Sequence, residues 1–186
     1  MKDIADHIFD ILENSVRAGA TEVQVVLSFN QKRFFCEITD NGRGITGNEV
    51  TDPFVTSRKE RRVGLGLPLL KRAAESTGGF LKISNLKGGG TCLEFEINLA
   101  HIDAKPFGDI AKTFIDALYC WPEVRFSVFL REGKERKLAI FDSKKIREIV
   151  NNSEIKQKEV RDFIYNSLAQ ELKKIGIDFQ FGVSLS

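Results

Sequence analysis

The chain has 186 residues, 42% of them hydrophobic and 29% charged, with 28 basic against 26 acidic side chains and a formal charge of +2. Such a composition describes an ordinary globular protein with room for one good core and a small second one. The near-neutral balance gives no electrostatic reason to expect a nucleic-acid partner, and no apolar run approaches a membrane span.

The elements follow in chain order from hydrophobic periodicity. Ile4, Ile8, Ile11 and Leu12 recur at helical spacing, so residues 2–18 are expected to form an amphipathic helix closed at Ala18-Gly19-Ala20, with Gly19 as its cap. Asp10 and Asn14 share one face of that helix with His7, at the border of the apolar strip. Val23, Val25 and Leu27 alternate as a strand, and residues 34–38 make its hairpin partner. The stretch Asp40-Asn41-Gly42-Arg43-Gly44-Ile45 comes next, then an aperiodic loop over 46–63. Gly64-Leu65-Gly66-Leu67-Pro68 leads into a helix that runs from Leu67 to Ser76 and ends at Gly78-Gly79. Strands over 80–84 and 91–99 flank the turn Gly88-Gly89-Gly90-Thr91.

Composition places a boundary near residues 101–106. Beyond it the pattern gives a helix over 107–119, strands over 124–131 and 137–142, and helices over 143–151 and 155–175. Phe163, Ile164, Leu168, Leu172 and Ile175 form an apolar stripe on the last helix. The expectation is a two-layer α/β sandwich over residues 1–100, followed by a small α+β extension over 101–186 that packs on it or on another chain. Cys36, Cys92 and Cys120 are odd in number, far apart and set among apolar residues. They are expected to be buried free thiols in a reducing cytoplasm. The amphipathic N-terminal residues do not have the form of a signal peptide.

Four short pieces carry chemistry. The Asp40 carboxylate can accept a hydrogen bond, while Gly42 and Gly44 let the backbone close on a flat ligand. On the facing helix, Asn14 can offer a neutral oxygen to a hard cation such as magnesium. Gly64, Leu65, Gly66 and Leu67 run into a helix start, where exposed amides and the helix dipole receive phosphate. Pro68 suits that start because its missing N–H is not needed there. Together the pieces describe a nucleotide site. Asp-Asn-Gly is also an ordinary hairpin-end turn, and a polar helix face is ordinarily solvated, so it is the combination that points to a ligand.

In this order and spacing the four pieces resemble the GHKL superfamily, which includes gyrase B, the ninety-kilodalton heat-shock chaperone, histidine kinases and the mismatch-repair protein MutL. They match its N, G1, G2 and G3 boxes over roughly residues 1–100. The resemblance implies a Bergerat-type ATP site, with Asn14 ligating the magnesium that bridges the phosphates and Asp10 as the general base. It implies that Asp40, with Gly42, Gly44 and Ile45 around it, reads the adenine amine. Thr91, in the fourth piece, would hold a water or the adenine edge, or is simply a strand residue. Many ATPase relatives carry glutamate at the Asp10 position, and aspartate is shorter by one bond of about 1.5 Å.

The basic loop Thr56-Ser57-Arg58-Lys59-Glu60-Arg61-Arg62 offers Arg58 or Lys59 as a clamp on the γ-phosphate; the alternative is a solvated loop. Arg62-Val63 stands where kinases of the family often show Gly-Thr, and the stretch from Phe54 to Gly64 leaves only a brief lid. Neither His7 nor His101 sits in the phosphoacceptor pattern of a sensor kinase, so a complete two-component sensor is not expected. The expectation is a cytoplasmic Mg-ATP-binding protein with slow hydrolysis or phosphoryl transfer. The alternatives are an ATP-sensing module without turnover and a protein-serine kinase resembling anti-sigma factors. A protein partner is expected through residues 101–186, and this reading allows a homodimer.

Overall fold

The computed structural model describes residues 1–30, 32–45, 66–132, 136–150 and 154–174. The first helix, α1, spans Ile4–Arg17. Asp3 caps it by accepting from the Asp6 N–H at 2.8 Å, and Gly19, at φ +81°, ends it where a side chain would be strained. Ile4, Ile8 and Leu12 are fully buried along one stripe, each contributing roughly 1.5–3 kcal/mol relative to exposure.

Strands β1 (Glu22–Asn30) and β2 (Arg33–Asp40) form the expected antiparallel hairpin, with Val25 opposite Ile38. Helix α2 spans Gly66–Glu75, so Pro68 lies within its first turn rather than at its first position. The second hairpin joins β3 (Phe80–Asn85) to β4 (Thr91–Asn98), and β4 pairs antiparallel with β2.

Helix α3 spans Ile110–Cys120 and starts later than the periodicity predicts, because Asp109 serves as its N-cap by accepting from the Lys112 N–H. Strands β5 (Arg125–Glu132) and β6 (Arg136–Asp142) follow, then α4 (Ser143–Ile149), a 3-10 turn over Glu154–Lys156, and α5 (Lys158–Lys174).

The sheet order is β3-β4-β2-β1-β5-β6, and β5 runs parallel to β1, with Val25 opposite Val128. The strands beyond residue 101 therefore continue the same sheet, and their buried side chains Phe126, Val128 and Leu130 belong to the same core as Val25, Ile38 and Phe95. Phe34 anchors that core edge-to-face against Phe95 and Phe107. Helices α1, α2, α3 and α5 form the layer over this face, and Tyr165 on α5 donates to the Asp109 carboxylate that caps α3. The opposite face carries ion pairs, Arg131 with Glu37 and Lys82 with Glu94.

Two expectations fail here. Phe163 is 72% exposed, so the apolar stripe of α5 reduces to Ile164, Leu168 and Leu172, while Ile175 lies outside the described residues. Of the three cysteines only Cys36 is buried; Cys92 is partly exposed and Cys120 exposed. Among the described residues no helix is long and apolar enough to cross a membrane.

Candidate nucleotide-binding site

Asp40 closes β2 with its side chain 8% exposed. Its Oδ1 accepts from the Gly42 N–H at 2.9 Å and the Thr91 N–H at 3.3 Å, and its Oδ2 accepts from the Ser15 hydroxyl at 2.9 Å. A carboxylate offers about four acceptor positions, so three protein donors fix its direction and leave it able to accept from a ligand. Gly42 is pressed against α1: a Cβ there would stand 3.1 Å from both the Ala18 Cβ and its carbonyl oxygen. Gly90, at φ +96°, passes so close to β2 that a Cβ would stand 2.0 Å from the Asp40 carbonyl oxygen. The first and last glycine pieces thus meet around one carboxylate.

The other end of the site lies on α1. The Asn14 amide Nδ2 donates to Asp10 Oδ2 at 3.1 Å, which leaves the Asn14 amide oxygen as the acceptor. That oxygen is the neutral, hard donor that magnesium takes, so Asn14 fits the ligand role; magnesium dehydrates reluctantly and shares few protein ligands with phosphate oxygens and water. Among the described residues no group of three or more His, Cys, Asp or Glu side chains could hold a metal by itself.

Asp10 reaches the start of α2, where a Cβ on Gly66 would stand 1.9 Å from Asp10 Oδ2. A side chain at Gly66 would displace this carboxylate from the helix start. Burial raises the Asp10 carboxyl above its ordinary value, opposed by the hydrogen bond from Asn14. A cleft of about 330 Å³ opens beside it, lined by Met1, Asp6, Phe9, Asp10, Glu13 and Asp116.

His7, expected on the border of the helix face, is 1% exposed. The Lys105 ammonium donates to His7 Nε2 at 3.2 Å, so the ring proton resides on Nδ1, which has no partner. Burial first, then Lys105 and the N-terminal ammonium, lower its pKa to about 4.

The structure brings Asp10, Asn14 and Gly66 together at one end, and Asp40, Gly42 and Thr91 at the other, with Gly44 and Ile45 on the connecting loop and Leu67 in the first turn of α2. Arg58, Lys59, Gly64 and Leu65, with the rest of the lid, lie outside the described residues. Sequence reasoning missed Ser15. Its place next to Asn14 on the buried side of α1 was a usable signal, since a hydroxyl at a core position needs a partner.

The family model described as "Histidine kinase-, DNA gyrase B-, and HSP90-like ATPase" matches residues 2–101. A protein of Rickettsia bellii (strain RML369-C), named as an NtrY-like sensor histidine kinase, is 30% identical over 105 residues, which are 53% of this chain and 17% of that protein. The chain therefore spans a small part of that relative's length. The N-terminal domain of a DNA repair protein superposes with a TM-score of 0.56 at 14% identity, covering 83% of this chain and 59% of that one, and this likeness carries the fold. The MutL ATPase domain of Aquifex aeolicus, complexed with ADP, gives a TM-score of 0.45 at 18% identity, covering 89% of this chain and 88% of that one. The family match takes in all four motif pieces and supports ATP as the ligand. The chain belongs to the family of histidine kinase-, DNA gyrase B- and HSP90-like ATPases.

Proposed function

We propose that the chain binds Mg-ATP between Asp40 and the start of α2 and turns it over slowly, by hydrolysis or by transfer of the γ-phosphoryl group to a partner protein. The observation that carries this reading is the convergence of Asp10, Asn14 and Gly66. The Asn14 amide nitrogen bonds the Asp10 carboxylate, and that carboxylate lies against Gly66 at the start of α2, an arrangement suited to orienting a nucleophile beside a metal-bound phosphate. Asn14 would hold magnesium, whose positive charge would offset the negative charge of the phosphates.

On this reading the Asp40 carboxylate accepts from the exocyclic amine of adenine, and Gly42, Gly44 and Ile45 lie along the base. The amides at Gly64 to Leu67 receive the phosphates, and Arg58 or Lys59 clamps the γ-phosphate. Asp10 takes the proton from a water or a substrate hydroxyl, helped by burial that raises its basicity. The protein partner would dock on residues beyond 101, where Ile102, Ile149 and Phe163 expose apolar side chains.

Incubation of the purified protein with Mg-ATP labelled on the γ-phosphate tests this. Label released as free phosphate or found on protein supports turnover. Tight binding with neither outcome, in the presence of a cell extract as a source of acceptors, would replace the proposal with an ATP-sensing module.

A further inference from the structure

We propose that Asn85 is a positioning residue for the nucleotide, which acts by clamping the loop after Asp40. The proposal rests on the ATP reading above and names the device that holds the base side of that site. Asn85 is the last residue of β3, which lies at one end of the described sheet. Its side chain supplies both hydrogen bonds that a neighbouring strand would make. Oδ1 accepts from the Ile45 N–H at 2.8 Å, and Nδ2 donates to the Ile45 carbonyl at 2.8 Å. The amide thus adds one loop residue to the sheet edge.

Two further contacts show that the loop is fitted to this clamp. Gly44 takes φ +74°, and a Cβ there would stand 2.9 Å from Asn85 Oδ1 and 3.2 Å from the Gly90 carbonyl oxygen. The positive φ favours glycine there, and a side chain would press on the clamp and on the second hairpin. Asn85 also pairs across that hairpin with Thr91, whose N–H donates to Asp40 Oδ1. The loop is therefore held at both ends: Asp40 holds Gly42 at the inner end, and Asn85 holds Ile45 at the outer end. Both Ile45 bonds are exposed, so they contribute little to global stability. Their effect falls on the position of the loop that faces the base.

The clamp has a chemical signature. A neutral carboxylic acid has the same shape and the same donor and acceptor pair as the amide, whereas a carboxylate lacks the donor. Asn85→Asp should therefore weaken binding at pH 7 and recover toward the parent as the pH falls to about 4, where an ordinary aspartate protonates. The ratio of variant to parent affinity removes the effect of acid on Asp40 itself.

The test measures apo melting temperature, Ile45 amide exchange in the unliganded protein, and affinity for adenosine, ADP and Mg-ATP in the parent, Asn85→Ala and Asn85→Asp. The expected result is an unchanged melting temperature, faster Ile45 exchange in Asn85→Ala, and an affinity loss of about tenfold for all three ligands. The Asn85→Asp ratio should rise as pH falls. Unchanged Ile45 exchange would overturn the clamp. Faster exchange with parental affinity, a loss confined to ATP, or a ratio flat with pH would overturn the positioning role. A parent that binds none of the ligands would instead sink the ATP reading and this role with it, while the exchange result would still report on the clamp.

Discussion

Replacing Asp40 by asparagine tests the base-reading end of the site with the smallest change of shape. In the parent, Oδ1 is held by the Gly42 and Thr91 N–H groups, which no amide nitrogen can accept from. The introduced amide must therefore keep its oxygen there and place its NH2 at the position of Oδ2. The Ser15 hydroxyl, which donates to Oδ2 at 2.9 Å in the parent, can rotate to accept instead, so the fold should survive with a small change in melting temperature. A bound adenine has no such freedom: its exocyclic amine would face another donor. Loss of one charge-assisted hydrogen bond costs about 1.5–3 kcal/mol, or about ten- to a hundredfold in affinity. Calorimetric titration with Mg-ATP, beside a melting curve of the apo protein, measures both effects. Parental affinity in the Asp40→Asn protein would refute the adenine assignment.

Asn14→Ala removes the neutral amide oxygen that α1 offers beside Asp10, and Mg-ATP affinity should fall about tenfold while metal-free ADP binds as in the parent; equal Mg-ATP titrations would remove Asn14 from the metal site. Asp10→Ala should lower turnover by about 10²–10⁴ with nucleotide affinity retained, as measured by phosphate release. Asp10→Glu adds the one bond by which aspartate is shorter, and faster phosphate release with unchanged affinity would support Asp10 as the base. His7 should make the protein acid-sensitive. Its folded pKa, near 4, lies below the ordinary 6.5, so the unfolded chain binds the proton first and stability is lost as pH falls from about 6.5 to about 4. The shift corresponds to about 3 kcal/mol. Denaturant melts of the parent should show that slope, and His7→Gln should flatten it.

Much of the site was legible because its residues sit on elements with strong local signals. Ile4, Ile8, Ile11 and Leu12 placed Asp10 and Asn14 on one helix, and the hairpin partner expected over residues 34–38 forms, running on to Asp40. The Gly88-Gly89-Gly90 piece was legible as the turn between two strands. What was hidden is non-local. The pairing of β1 with β5 joins residues about a hundred positions apart, and neither strand states its partner. His7 looked like a border residue because the group that covers it, Lys105, comes from 98 positions further along the chain. Asn85 reads as an ordinary strand end, and its role depends on a loop forty residues away in the chain. Phe163 followed the helical period but faces outward, since α5 is held by Ile164, Leu168 and Leu172.

The most direct test is a calorimetric titration of the unmodified protein with Mg-ATP and, separately, Mg-GTP. Guanine presents a carbonyl oxygen where adenine presents its amine, and a carboxylate acceptor such as Asp40 repels it. Saturable one-to-one binding of ATP is expected, with GTP weaker by at least about tenfold. Equal binding of the two, or no binding of ATP at millimolar concentration, would contradict it.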